Sequence, residues 1–148
     1  MEPLLSDGVR GQVKQLFKDL KYPVTLILFT SSSQNCEYCE QSHQLLSEVI
    51  SLSDLLSLEL YDLEDGAALA SAYQVDKAPG IVIAGKDGAE IIDFGVRYYG
   101  IPAGSEFTAL IHDILLVSKR DSGLSQPTRD FLSQLAQPIN LRVFVTPT

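Results

Sequence analysis

Apolar positions along the chain change their spacing several times, and each change marks a new element. Val9, Val13, Leu16, Phe17 and Leu20 form one stripe, which predicts a helix from Ser6 or Asp7 to Leu20 with a polar N-cap. Lys21-Tyr22-Pro23 breaks it, and Val24 to Phe29 reads as a strand. Leu26-Ile27-Leu28-Phe29 is too continuous for a sheet with one wet face, so this strand should be central and covered on both sides. A polar loop, Ser31 to Asn35, follows. From Glu37 onward Leu45, Leu46, Val49 and Ile50 recur at helical spacing. Leu58 to Leu63 alternates as a second strand, and a short helix is expected around Ala67 to Tyr73. A strand–helix–strand passage of that length is a crossover unit, so its two strands should be parallel and its hand right.

The second half turns back on itself. Pro79 stands at the mouth of another apolar strand, Ile81 to Ala84, where a missing N–H is tolerated only at a strand start or an edge. Lys86-Asp87-Gly88-Ala89 carries an Asp-Gly turn signal, and Ile91 to Phe94 supplies the antiparallel return. A last helix, from Ala103 or Gly104 to Ser118, is apolar at Phe107, Leu110, Ile111, Ile114, Leu115 and Val117. The expected class is α/β, a four-stranded mixed sheet flanked by helices, with a boundary in Lys119 to Gly123. Beyond it the opening repeats: Thr128 to Leu135 is amphipathic, and Gln137 to Val145 aligns with Tyr22 to Thr30 about 115 residues earlier. Residues 1–121 therefore read as one unit, and 122–148 as the helix–strand beginning of a second.

Onto this framework the chain places its only two cysteines, in Cys36-Glu37-Tyr38-Cys39, at a strand-to-helix junction. There a sulfur sits near unpaired backbone N–H groups and the positive end of the helix dipole, which favour thiolate over thiol. Cys36 is the candidate nucleophile. Cys39, three residues on, returns to the same face within disulfide reach and is the candidate resolving thiol. Inert buried cysteines are a weaker reading because the two stand at CxxC spacing on a helix start, and a structural staple is weaker still because so short a loop removes little unfolded-state entropy. A metal site needs more ligands than His43, one turn beyond Cys39, and the distant His112 supply. Glu37 and Glu40 bracket the pair; their charge should raise the Cys36 pKa, partly offsetting the helix terminus, or they simply solvate the first turn.

Composition changes the picture little. At 148 residues, 45% hydrophobic and 20% charged, the chain can build an ordinary core. A net charge of −8 argues against nucleic acid or an anionic membrane as partner. No apolar run approaches membrane-spanning length, and Met1 to Asp7 lacks the basic and apolar regions of a secretory signal, so a cytoplasmic setting is expected. In that setting a lone CxxC is more often redox-active than structural.

Cys36 to Cys39 after a strand, with Ala78-Pro79 before a hairpin, resembles the thioredoxin and glutaredoxin superfamily. Phe94 to Phe107 and Val143 to Thr148 are similar, more narrowly, to the two-unit glutaredoxin-like protein disulfide oxidoreductases of thermophilic bacteria and archaea. The resemblance covers nearly the whole chain. It implies a thioredoxin fold, and a second CxxC following a segment like Thr146-Pro147-Thr148, so that this chain reads as cut short before it. It also implies that Pro79 is cis and faces the disulfide, with the backbone of Ala78 binding an extended substrate peptide. Arg97-Tyr98-Tyr99-Gly100 could line the rim of that site or form a rigid strand-to-helix turn with half-buried tyrosines. Two departures stand out: no tryptophan precedes the motif, and Val24 to Thr30 holds no carboxylate to take the proton of Cys39.

The expected chemistry is thiol–disulfide exchange with protein disulfides or dithiols, catalysed by Cys36 and Cys39 and requiring no organic cofactor. Tyr38 should screen the pair and offer an apolar contact. Reducing equivalents are expected from a flavoprotein of the thioredoxin-reductase type, by analogy with the family. Competing readings are a non-catalytic support or electron-relay module of a larger redox protein, and a glutaredoxin-like iron–sulfur site. Leu141 to Val145, a central-strand sequence without its own sheet, should dock on the first unit, pair between chains or remain an aggregation risk, and the favoured expectation is a homodimer through residues 126–148.

Overall fold

The computed structural model describes residues 1–33 and 35–146. Gln34 of the loop before the cysteines, and Pro147 and Thr148 at the end of the second-unit segment, lie outside the described residues. The elements, in chain order, are α1 (Asp7–Leu16), a 3-10 turn (Phe17–Asp19), β1 (Val24–Thr30), α2 (Cys39–Ile50), β2 (Leu56–Asp62), α3 (Ala67–Ala72), β3 (Gly80–Asp87), β4 (Glu90–Tyr99), α4 (Ser105–Lys119) and α5 (Gln126–Ser133). The sheet order is β2-β1-β3-β4, with β1 parallel to β2 and antiparallel to β3, and β3 antiparallel to β4.

The continuous apolar run of β1 finds its reason in two half-cores. Val24, Leu26 and Leu28 face a cluster with Val13, Phe17, Leu45, Leu46, Val49, Leu110 and Ile114, so α1, α2 and α4 share one face of the sheet. Ile27 and Phe29 face the other side, with Val82, Ala84, Ala70 and Val75, beneath α3 and the segment after it. Successive strand residues point to opposite faces, so a strand buried twice has no position left for a polar alternation. Ser6 caps α1, its Oγ accepting from the Val9 N–H at 3.3 Å. Ser118, fully buried on α4, ties that helix to the turn before β1: its Oγ accepts from the N–H groups of Lys21 and Tyr22 at 2.9 and 3.1 Å and donates to Tyr22 O at 2.8 Å.

Two elements differ from expectation. The return strand does not stop near Phe94; β4 runs on to Tyr99, so Arg97, Tyr98 and Tyr99 are strand residues and not a strand-to-helix turn. Register passes from Ala84↔Asp93 to Ile83↔Val96, so Phe94 and Gly95 are a bulge. Gly95 sits at φ 82° and donates its N–H to Asp93 Oδ1 at 2.9 Å. A glycine that looks like a terminator here bends the strand without ending it.

The second difference lies beyond residue 121. The expected helix is present as α5, capped by Ser125, whose Oγ accepts from Thr128 N. Residues 139–146, however, form no strand, and Leu141, Val143 and Phe144 are 88%, 84% and 91% exposed. A strand sequence with no neighbouring strand has no ladder to hold it, so its period-2 pattern remains as a segment outside the sheet.

Candidate functional site

β1 delivers the cysteines. It ends at Thr30, whose parallel partner is Asp62 at the end of β2, and the next residues form the loop to Cys36. That loop is fastened from the β2 side. Asp62 Oδ2 accepts from the Ser32 N–H at 2.8 Å, and Glu64 Oε1 accepts from Ser31 Oγ at 2.9 Å and from Ser33 Oγ at 2.6 Å. Asp62 Oδ1 also accepts from the N–H groups of Glu64 and Asp65, at 2.9 and 3.3 Å. The Glu64 side chain, then Ser32 and these backbone donors, hold the Asp62 carboxyl well below the usual carboxylate range against a smaller opposing effect of desolvation.

Cys36 and Cys39 are joined by a disulfide, with their Cα atoms 5.5 Å apart, and both are partly exposed. Helix α2 begins at Cys39 and not at Glu37, with Tyr38 as N-cap; the preceding turn is closed by a long Cys39 N–H to Cys36 O contact of 3.5 Å. Cys36 therefore lies just ahead of the helix end, before the first-turn N–H groups of Glu40 and Gln41. Glu37, Glu40 and His43 are exposed, and the Tyr38 ring is 42% exposed. Three residues after Cys39, on the buried stripe that continues through Leu45, Leu46 and Val49, Ser42 is fully buried and its Oγ has no hydrogen-bond partner among the described residues.

The third wall comes from the segment before β3. The Ala78–Pro79 bond is cis. Register Phe29↔Gly80 brings the start of β3 beside the end of β1, so Pro79 lies at the same sheet end as the loop to Cys36. Pro79 is buried and its carbonyl accepts from the Gly100 N–H at 2.9 Å. Ala78 is half-buried, and among the described residues its N–H and C=O have no hydrogen-bond partner. Gly80 fixes the approach of this segment: a Cβ there would stand 2.5 Å from Val75 Cγ1 and 2.7 Å from Lys77 O. Tyr99, opposite Gly80, carries Lys77 over its ring at 5.7 Å. Of the Arg97-Tyr98-Tyr99-Gly100 stretch, Tyr99 and Gly100 thus pack beside Pro79. Arg97 turns to the α3 side, donating to Tyr73 O at 2.9 Å and pairing with Asp93 at 2.7 Å, while Tyr98 turns to α4 and donates to Asp113 Oδ2 at 2.5 Å.

Sequence reading alone missed Asp62, Glu64 and Gly80. The signal for the first two was a polar residue at the end of one parallel strand beside a serine-rich loop at the end of its neighbour. For Gly80 it was a glycine directly after the proline. No group of three or more His, Cys, Asp or Glu side chains suited to a metal ion occurs among the described residues. Nor is any helix among them long and apolar enough to cross a membrane.

A four-stranded mixed sheet, a CxxC disulfide after its first strand and a cis proline before its third define the class. The chain has the thioredoxin fold. Among solved structures it is similar to a protein disulfide oxidoreductase from Aeropyrum pernix k1, at 28% identity over 88% of this chain with a TM-score of 0.75. It is also similar to the alkylhydroperoxide reductase AhpF from Enterococcus faecalis (V583), at 25% identity over 90% of the chain with a TM-score of 0.75. The N-terminal domain of the same reductase, at 24% identity and a TM-score of 0.73, agrees in fold. This chain spans between 55% and 61% of the length of those proteins. No family model matches the chain. No curated protein matches it either. The disulfide pair and these similarities support a redox function.

Proposed function

We propose that the chain is a thiol–disulfide oxidoreductase that exchanges disulfides with protein substrates through Cys36 and Cys39. The observation that carries the reading is a half-exposed disulfide in the turn after β1, at the sheet end that also carries a cis proline whose preceding residue has no hydrogen-bond partner for its backbone among the described residues.

In the disulfide state a substrate thiolate attacks Cys36 Sγ, and Cys39 leaves as a thiolate. A second substrate thiolate then attacks the substrate sulfur of the mixed disulfide and releases Cys36, so the substrate is oxidised and the pair reduced by two electrons. In reverse, Cys36 thiolate opens a substrate disulfide, and Cys39 attacks Cys36 Sγ to release the dithiol product. Exposure favours Cys36 as the attacked sulfur no more than Cys39; its place ahead of the helix N-terminus does. Ala78 would hold the substrate segment by backbone pairing, with Pro79 beside it and Tyr38 as an apolar edge. No organic cofactor enters these steps. Reduction of the pair would fall to a flavoprotein of the thioredoxin-reductase type.

A second reading has one observation in its favour: the chain covers little more than half of each similar protein, so it would serve as an electron-relay or support module of a larger redox protein. Residues 122–148 would then be the opening of a second unit, and Leu141 to Val145 the strand through which two chains pair.

Replacing Cys39 by Ser separates the two readings. An exchange catalyst accumulates a mixed disulfide with a protein substrate at Cys36, whereas a support module traps nothing. Equilibration of the wild-type pair against glutathione buffers should give a reduction potential within roughly −270 to −120 mV. A bond that resists reduction below about −300 mV would make it a structural disulfide and end the exchange reading.

A further inference from the structure

A fully buried hydroxyl stands one helical turn from the redox pair without a use in the fold. Ser42 lies on α2 three residues after Cys39, its side chain is wholly shielded from solvent, and its Oγ has no hydrogen-bond partner among the described residues. Other serines of this helix escape that cost by bonding back along the chain. Ser47 Oγ donates to His43 O at 2.7 Å, and Ser51 Oγ, at the helix C-cap, donates to Glu48 O at 2.6 Å. Ser42 does not, although its own N–H reaches Tyr38 O at 2.9 Å. A buried hydroxyl left unpaired is less favourable than alanine at the same place, so its presence points to a second state in which it is paired.

Its position supplies that state. Residues three apart on a helix share a face, and helical side chains lean toward the N-terminus, so the Ser42 hydroxyl leans over the turn that holds Cys39. In the disulfide the Cys39 sulfur is held toward Cys36; once the bond opens it can turn to another rotamer. We infer that the Ser42 hydroxyl donates a hydrogen bond to Cys39 Sγ in the opened pair and so stabilises Cys39 as the leaving sulfur. The inference rests on the exchange reading above and adds to it a group that acts on the resolving thiol. An attacking thiolate bonds to Cys36 Sγ, the Cys36–Cys39 bond breaks, and its electron pair stays on Cys39 Sγ. Ser42 keeps its proton and directs it at that charge; any proton that later converts Cys39 to the thiol comes from solvent. In the reverse step Val24 to Thr30 offers no carboxylate to take the Cys39 proton, and a donor that favours the thiolate eases its loss to water. Because the bond forms only in the opened pair, Ser42 shifts the couple toward the dithiol.

The test compares Ser42→Ala with wild type and with Thr25→Ala. Thr25 Oγ1 is also buried without a partner among the described residues, but it lies near the start of β1, on the face of Ile27 and Phe29 and away from α2. Each intact chain is equilibrated against glutathione, or against dithiothreitol where the pair resists glutathione, and its dithiol fraction is read by alkylation and mass. Ser42→Ala should shift the equilibrium about tenfold toward the disulfide, which is about 30 mV toward more negative potential. Thr25→Ala should leave it within about twofold of wild type, since its hydroxyl is unpaired in both redox states. Oxidised Ser42→Ala should melt no lower than oxidised wild type, because the disulfide state loses no bond. An equilibrium unmoved by Ser42→Ala, an equal shift in Thr25→Ala, or an oxidised Ser42→Ala that melts several degrees lower overturns the inference. Failure of Cys39→Ser to trap a protein substrate, with the Ser42→Ala shift present, would count against the exchange reading and not against the hydroxyl.

Discussion

Glu64 Oε1 accepts the Ser33 hydroxyl at 2.6 Å, so the loop after β2 grips the loop that delivers Cys36. The same oxygen accepts from Ser31 Oγ, and two contacts on one carboxylate restrict the loop more than either alone. A loosened loop misplaces Cys36 relative to its attacking thiol, and small misplacements cost rate. Glu64→Ala should slow exchange with a small neutral disulfide about fivefold while leaving the melting temperature nearly unchanged, since the contacts are exposed. Glu64→Gln keeps an acceptor at Oε1 and should recover most of the rate. Stopped-flow thiol exchange reads both; an alanine variant as fast as wild type would remove the clamp from the mechanism.

Asp62 adds a pH signature to that clamp. Its carboxyl is held below the ordinary range, so what its charge contributes to loop order is fully present above the unfolded value of about 3.9. The contribution disappears only as pH falls through the lowered folded value. The Ser32 amide resonance, which reports the bond to Asp62 Oδ2, should therefore hold its position from pH 7 down to about 4 and move only in stronger acid. A midpoint at or above about 3.9 would show that the N–H groups of Ser32, Glu64 and Asp65 do not stabilise the charged form.

Ser118 tests the scaffold apart from the site. Its fully buried hydroxyl satisfies two backbone N–H groups and one carbonyl across 96 and 97 residues of chain. Ser118→Ala leaves the N–H groups of Lys21 and Tyr22 without this acceptor, which should cost about 2 kcal/mol. For a domain of this size that is a fall of roughly 5 °C in melting temperature. The reduction potential of Cys36–Cys39 should not move, because the bond lies on α4 and the turn before β1. Calorimetry showing no change would mean that water replaces the hydroxyl.

Much of this fold is legible in the sequence, and the parts that are not share a physical cause. Leu26 to Phe29 announces a twice-buried strand because both faces of one strand write themselves into consecutive residues. Asp87-Gly88-Ala89-Glu90 announces the hairpin because turn residues are chosen locally. The extension of β4 through Gly95 is hidden, since a bulge and a terminator use the same residue and only the partner strand distinguishes them. The cysteines are visible by their spacing. Asp62 and Glu64 are not, because what recruits them is the parallel pairing of β1 with β2, a contact across about thirty residues that no local pattern records.

Leu141 to Val145 shows the same dependence on a partner in its strongest form. Leu141 and Phe144 are 88% and 91% exposed, so in an isolated chain their side chains contribute nothing to the core, and Leu141→Ala or Phe144→Ala should change folding stability by less than about 0.5 kcal/mol. Leu110→Ala, at a fully buried position on α4, should by contrast cost about 3 kcal/mol. If the segment pairs two chains, as proposed, light scattering will show a mass that rises with concentration, and Leu141→Lys with Phe144→Lys will return it to the monomer value, because charges on both apolar positions oppose their burial. A monomer at every concentration, unchanged by the lysines, leaves the segment exposed and rules out pairing through it.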